Sequence, residues 1–259
     1  MLQTSNAAQD SRRHLRAYAR LALLAAPLLL GACRKDHELD CFKSNGKVTT
    51  QTRELADFTT LRVFDNIEVT VVQDARTYAE VRTGENIQED LMLDVRDDAL
   101  RVYNTSRCNW VRRYDVPRQV TLHVPHLKNV FNVGEKTIRT AGTFQQDTLF
   151  LHLSRAGDIE FAVDSKYLWV DLYELGDMRL SGRTDAFVAT VGDLGSLYAK
   201  PLTARRTNVT LNYNGDGNAH VTTTDYLSAD IAGPGTVFYA GSPRQKDINV
   251  SGSGRAVAE

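Results

Sequence analysis

Seven glycines recur at a near-constant interval in the second half of this 259-residue chain, and that period limits the folds open to it. They stand at 134, 157, 176, 192, 215, 233 and 252, with spacings of 23, 19, 16, 23, 18 and 19 and a mean just under 20. After the first, each sits in a compact turn: Ala156-Gly-Asp-Ile159, Leu175-Gly-Asp-Met178, Val191-Gly-Asp-Leu194, Asn214-Gly-Asp-Gly217, Ala232-Gly-Pro-Gly235 and Ser251-Gly-Ser-Gly254. Between the turns apolar residues alternate with polar ones, as in Leu149, Leu151 and Leu153, Leu168, Val170 and Leu172, Val209, Leu211 and Tyr213, or Leu227, Ala229 and Ile231. Shorter strands follow the turns at Ile159, Phe161 and Val163 and at Val237 and Tyr239. A glycine-centred corner and two short strands per unit predict a β-solenoid, because one unit cannot bury its inward residues without stacked neighbours. Glycine suits such a corner because it accepts positive φ. Turn signals at this density also suit an antiparallel sandwich. The repeated Gly-Asp phase favours the solenoid.

From Val48 to Val130 the texture differs, with longer alternating runs such as Ile67-Glu-Val-Thr-Val-Val72 and Val120-Thr-Leu-His-Val124. These predict strands with one buried face. One short helical turn is expected over Gly84–Met92. The predicted fold class is all-β: N-terminal strands over 55–131 packed on solenoid repeats over 132–258, with the texture changing near Asn132.

The first residues argue for export. Arg12, Arg13, Arg16 and Arg20 precede the apolar run Leu21–Leu30, and Gly31-Ala32-Cys33 follows. A basic flank, a short apolar core and small residues before a cleavage point make a secretory signal, here 1–32, and the run is too short to span a bilayer. Leu30-Gly31-Ala32-Cys33 resembles the bacterial lipobox, which implies acylation of Cys33 and a membrane partner reached through the lipid anchor. Residues 33–54, beginning Arg34-Lys35-Asp36-His37-Glu38, read as a charged tether. They also resemble the charged tags of surface-exported lipoproteins in Bacteroidota-type bacteria. Cys41 and Cys108 are the remaining thiols; in an oxidising compartment a disulfide between them is the economical reading, with two free thiols as the alternative.

With 31 basic and 32 acidic residues and no basic block interleaved with aromatics, nucleic acid is excluded as a partner. Asp158, Asp177, Asp193 and Asp216 each follow a repeat glycine. A carboxylate column of that kind suits calcium, but the calcium-binding nonapeptide pattern is absent, and turn capping accounts for the residues, so neither metal nor cofactor is expected. His123 and His126 are expected to point to different faces, and Gly195-Ser196-Leu197 lacks the G-x-S-x-G elbow of a serine hydrolase. Arg205-Arg206 reads as part of a solvated charged edge. Outward aromatics are the remaining candidates: Trp169, Tyr173 and Tyr198 as ligand-facing residues, with Phe238 and Tyr239. Stacking between adjacent coils is the plainer account of the same rings.

The order of motifs also resembles a known family. The chain opens with Phe58-x-x-Leu61-x-Val63-Phe64-Asp65-Asn66-Ile67-Glu68-Val69-Thr70-Val71, passes through Ala79-Glu-Val-Arg-Thr-Gly-Glu-Asn86, Leu100-Arg-Val-Tyr103 and Val124-Pro125-His126-Leu127, and closes on Ser251-Gly-Ser-Gly-Arg-Ala-Val257. This is similar to the head GIN domain family, described as putative auto-transporter adhesins and common as lipoproteins or secreted proteins in Bacteroidota. The resemblance, over about residues 55 to 258, implies an all-β, β-helix-like structure. The sequence departs from it at Val133-Gly-Glu-Lys-Thr-Ile138 and at the sixteen-residue unit before Gly192. The function expected is a non-enzymatic binding or scaffold module, adhesin-like by family resemblance, on an outer-membrane lipoprotein facing the surface or the periplasm. Its candidate partners are a glycan or an envelope protein. The alternative is a carbohydrate-active β-helix enzyme, a polysaccharide lyase or hydrolase.

Overall fold

The computed structural model describes residues 44–106 and 116–259; Cys33, Cys41 and Cys108 lie outside them. In chain order the strands are β1 (Val48–Glu54), β2 (Thr60–Asp65), β3 (Glu68–Gln73), β4 (Tyr78–Gly84), β5 (Leu91–Arg96), β6 (Ala99–Asn104), β7 (Gln119–Val124), β8 (Asn129–Gly134) and β9 (Ile138–Gln145). They continue as β10 (Thr148–Ser154), β11 (Ile159–Tyr173), β12 (Met178–Val191), β13 (Leu197–Leu211), β14 (Ala219–Ile231), β15 (Thr236–Ala240), β16 (Gln245–Val250) and β17 (Arg255–Ala258). A 3-10 turn at Glu85–Ile87 stands where the short helical turn was expected.

The strands wind into a coil with two walls. Wall A contains β6, β2, β8, β10, the later halves of β11 to β14, and β16; wall B contains β7, β3, β9, the earlier halves of β11 to β14, β15 and β17. All of these pairings are parallel, which settles the choice against the antiparallel sandwich. Ile159 lies beside Met178, Met178 beside Leu197, Leu197 beside Ala219, Ala219 beside Val237 and Val237 beside Ala256, and all of these side chains except Ala256 are buried. Like pairs with like in each column, so apolar residues pack along the coil axis as well as across it.

The N-terminal strands join this coil rather than pack on it as a distinct layer. Leu61 of β2 pairs with Leu100 on one side and Val130 on the other, and Val69 of β3 pairs with Val120 and Ile138. The β2–β3 coil therefore lies between β6–β7 and β8–β9, and the change of texture near Asn132 marks no change of architecture. Antiparallel β5 on wall A, and β4 then β1 on wall B, close this end. Part of the expected tether is thus folded: Val48–Glu54 forms β1, paired with β4 from Val48↔Gly84 to Glu54↔Tyr78. Gln88, buried in the cap, donates to the carbonyls of Thr49 and Val81, and Arg53 donates to those of Gln88 and Leu91. At the other end Lys246 takes the inward position beside Leu227, its ammonium 5.4 Å from the Tyr239 ring. A charge at an inward position blunts an otherwise open edge.

The corners require a correction to the period. A Cβ on Gly176 would fall 2.0 Å from the carbonyl oxygen of Gly157, one on Gly195 2.0 Å from that of Gly176, and one on Gly217 2.1 Å from that of Gly195. For Gly235 and Gly254 the distances are 2.2 Å to Gly217 and 2.2 Å to Gly235. The stacked column is therefore 157, 176, 195, 217, 235 and 254, whereas 192, 215, 233 and 252 belong to a second column just before it. The sixteen-residue unit disappears, because Gly195 and not Gly192 follows Gly176 in register. The physical reason also changes: among the described residues only Gly46, Gly182 and Gly241 have glycine φ in the positive region. The corner glycines are required by close backbone approach between coils. The departure at Val133–Ile138 is real, since Lys136 stands in register before Gly157 and its carbonyl oxygen is 2.4 Å from where that Cβ would be.

Beside the glycines runs a polar column. Asp158 Oδ1 accepts the amide of Asp177 (2.9 Å), Asp177 Oδ1 that of Ser196 (3.0 Å), Ser196 Oγ that of Asn218 (3.1 Å) and Asn218 Oδ1 that of Thr236 (2.8 Å). Each side chain caps the following coil rather than its own turn. Where wall B bends into wall A, Lys166 bonds Asp147 at 2.8 Å. The flanking pairs Ser165–Thr184 and Tyr167–Ala186, then Thr184–Ala204 and Ala186–Arg206, set Asp185 between Lys166 and Arg205, and farther on Arg244 lies 3.9 Å from Asp225. Charge alternates one residue per coil along this exposed bend, so a slip by one coil would set like charges together.

Gly195→Ala should lower stability by about 1–3 kcal/mol, the usual range for overpacking. Gly142→Ala, where a Cβ meets nothing within 4 Å, should be neutral; equal melting temperatures for the two variants would contradict the corner assignment. Asp185→Lys places cations on three successive coils. Its melting temperature should fall at low salt, with the deficit shrinking as salt rises; a salt-independent deficit would show that the alternation has no electrostatic role.

Candidate functional site

A sheet with one face in water usually sets polar residues there. On the N-terminal strands of wall A six outward positions are aromatic instead: Tyr103 on β6, Phe64 on β2, Phe131 on β8, Phe150 on β10, and Tyr167 and Trp169 on β11. All six are half-buried, because their neighbours cover them. The Arg62 guanidinium lies 3.9 Å over the Phe131 ring, and Phe131 stacks on His152 at 4.1 Å and 6°. His152 Nδ1 is 3.1 Å from Asp171 Oδ2. Arg62, Phe131, His152 and Asp171 are in register, one per strand, so the column crosses four strands without interruption. Trp169 tilts against His152 (5.3 Å) and Phe150 (6.1 Å), and Arg101 lies 5.5 Å from Phe64 and 5.4 Å from Tyr103. Farther along, the same columns become Val188 and Thr190, Asn208 and Thr210, Ser228 and Asp230, then Asp247 and Asn249. The aromatic field is therefore confined to the N-terminal half of one wall.

The three aromatics expected to face a ligand do not share a surface. Trp169 belongs to the field. Tyr173, 40% exposed, ends wall A at the corner, with its Cδ1 2.2 Å from where a Cβ of Gly192 would lie. Tyr198, also 40% exposed, is on wall B, with Arg179 5.1 Å from its ring centre and His220 stacked on it at 5.5 Å. Phe238 continues that stack at 4.5 Å from His220, while Tyr239 turns inward against the core. Phe131, Phe150 and His152 escaped notice in the sequence. Applying the coil period to Trp169 would have found Phe150, nineteen positions earlier and paired with it.

The polar groups are largely committed to one another. Asp158 and Asp177 cap amides and pair with Arg179, and Asp193 Oδ2 accepts the amide of Glu174 (3.0 Å). No group of three or more His, Cys, Asp or Glu side chains among the described residues is arranged to hold a metal. His123, stacked on Tyr78, bonds Asp74, and His126 lies apart, lining a cavity of about 630 Å³ at the bend with Asp147, Asp164, Lys166 and Arg183. There Lys166 binds Asp147 at 2.8 Å and Arg183 binds Asp164, whose carboxyl is held below its ordinary range by that hydrogen bond. A general acid for glycoside cleavage needs the opposite shift. Glu259, bonded to Lys200 at 2.6 Å and to His220 at 3.0 Å, is likewise pushed down, first by Lys200. Arg205 and Arg206 are exposed, as expected of a charged edge.

A family model described as "Putative auto-transporter adhesin, head GIN domain" matches residues 57–243. No curated protein matches the chain. Among solved structures, a putative adhesin from Bacteroides fragilis superposes with a TM-score of 0.74 at 19% identity, covering 82% of this chain and 97% of its own. A putative adhesin from Parabacteroides merdae gives 0.61 at 18%, covering 83% and 98%. A putative lipid binding protein from Parabacteroides distasonis gives 0.63 at 19%, covering 83% and 98%. At these identities the likeness concerns the fold. Among the described residues no helix is long and apolar enough to cross a membrane.

Phe131→Ala removes the ring between Arg62 and His152. Stacked pairs contribute about 0.5–1.5 kcal/mol each beyond burial, so its urea midpoint should fall with the slope unchanged. An unaltered midpoint would mean that the ladder adds nothing to stability.

Proposed function

We propose, because the chain belongs to the head GIN domain family of putative auto-transporter adhesins, that it is a non-catalytic binding module of the bacterial envelope, anchored by acyl chains on Cys33 and presenting wall A to a partner. The observation that carries the reading is the field of six outward aromatics with Arg62 and Arg101 among them. Aromatic residues and arginine are the types that dominate the energetics of interfaces. Here they stand on strands already hydrogen-bonded on both sides, so little ordering is left for binding. The names of the structural neighbours, two putative adhesins and a putative lipid binding protein, agree with a binding role. An outer-membrane lipoprotein location is supported by the basic flank, the apolar run and the lipobox at Leu30–Cys33. Partners of the appropriate kind are an envelope protein or a glycan. A glycoside hydrolase is less well supported, because Asp164 and Glu259 are paired with cations rather than placed as a protonated acid.

Cys33→Ser should move the protein from the membrane fraction to the soluble one; unchanged membrane partition would refute the anchor. Beads coated with the mature protein should adhere to cells of the native community. The Phe150→Ala, Trp169→Ala double variant should lose about tenfold in adherence, the effect expected on deleting an interfacial hot spot. Adherence equal to wild type would remove wall A as the contact surface, and reducing-sugar release by the purified protein would restore the enzyme reading.

A further inference from the structure

Wall B carries a second concave feature, separate from the aromatic field. Glu160 of β11 lies beside Arg139 of β9 but Ala162 lies beside Thr143, so four residues of β9 run against two of β11. Likewise Arg179 of β12 lies beside Tyr198 of β13 but Gly182 lies beside Leu202, four residues against three. Such bulges bend the strand out of the ladder. Thr140 and Pro201, in the two bulged segments, bound a trough of about 470 Å³. Ala162 and Ser181 are small side chains on its floor, and Arg139, Glu160, Arg179 and Tyr198 line one side. From β9 to β13 is three strand spacings, about 14 Å, the length of a short oligosaccharide segment.

The charges around the trough are acidic on balance rather than basic. Arg139 pairs with Glu68 at 2.8 Å, and Arg179 pairs with Asp177 at 2.9 Å and lies 3.5 Å from Asp158. Glu160 is 3.8 Å from Arg139 Nε, beyond hydrogen-bond reach, and is 42% exposed, so its oxygens face solvent as acceptors. Two guanidiniums against these four carboxylates leave an acidic excess that repels uronates, sulfates and phosphates. A peptide strand is excluded for another reason: the floor is the outer face of strands paired on both sides, which offers no free backbone edge. Nor does Tyr198 present an open ring face, since Arg179 and His220 flank it; it offers its edge and hydroxyl.

We propose that this trough binds an uncharged sugar, whose C–H face rests on Ala162 and Pro201 while its hydroxyls donate to Glu160 and accept from Arg179, Ser181 and the Tyr198 hydroxyl. Planar carboxylate and guanidinium groups beside Ala162 and Pro201 match the alternating polar and apolar surface of a pyranose ring, and an uncharged ligand makes the contact one of hydrogen bonds. This inference does not depend on wall A or on the lipid anchor.

The test is saturation-transfer NMR and titration of the mature chain with cellobiose, lactose and maltose, with digalacturonate as the charged probe. At least one neutral disaccharide should saturate, with affinity nearly constant between low and high salt, since no net charge is exchanged. Glu160→Ala should weaken it about tenfold by removing a charged acceptor. Arg179→Met should do the same, with melting temperatures reported for both variants. Tyr213→Ala, at an exposed corner outside both surfaces, should bind as wild type, and bead adherence reads wall A separately, so failure of this site and failure of that reading are distinguishable. The proposal is overturned by no saturation with any neutral disaccharide, by tighter binding of digalacturonate, or by wild-type affinity in a folded Glu160→Ala variant.

Discussion

The close backbone approach of successive corners is the constraint on which the rest of the structure depends. At Gly176, Gly195, Gly217, Gly235 and Gly254 the preceding corner's carbonyl oxygen occupies the space a side chain would need. Parallel strands stack at about 4.8 Å, and a corner crossing from wall A to wall B must stack at that same distance or force the walls apart. Removing the Cβ allows it. Once the corners nest, every later residue is placed relative to its counterpart one coil away. Leucine and valine then form inward columns, and the outward residues form ladders.

Additions to the period are accommodated away from that contact. From Leu197 to Ala219 the offset is 22 residues, yet from Thr207 to Leu227 it returns to 20. The surplus enters the bulge of β13 around Lys200 and Pro201, which helps to shape the trough on wall B. Register is then held by polar groups that read their neighbours: the Asp158, Asp177, Ser196 and Asn218 column through hydrogen bonds, and the alternating bend from Asp147 to Arg244 through charge. Surface ion pairs contribute little each, so the alternation acts mainly by disfavouring slipped registers.

Stacking also decides what kind of surface this protein offers. Rings such as Phe131 and Tyr198 direct their faces at neighbouring coils, leaving edges, hydroxyl groups and guanidiniums to solvent. The resulting walls are stiff and patterned. The same mutual pairing commits the carboxylates: Asp164 and Glu259 are held ionised by cations, the state of a structural ion pair rather than of an acid catalyst.

Much of this was legible in the chain itself. Alternation at Leu149–Leu153 or Leu168–Leu172 specifies strands with one buried face, and the glycine period near 20 specifies a coil, because both are local consequences of side-chain size and backbone freedom. Trp169 alternates with buried Leu168 and Val170 for the same reason. Tertiary structure decided which glycine of each turn meets its neighbour, since Gly192 and Gly195 look equivalent until the corner of Gly176 is placed beside them. It decided that β2–β3 lies between β6–β7 and β8–β9, through pairs such as Leu61 with Val130 that no local pattern announces. It also separated Trp169, Tyr173 and Tyr198 onto different surfaces. Strand alternation determines only whether a residue faces in or out; which wall it occupies, and beside what, depends on where the chain turns and on contacts made across the whole coil.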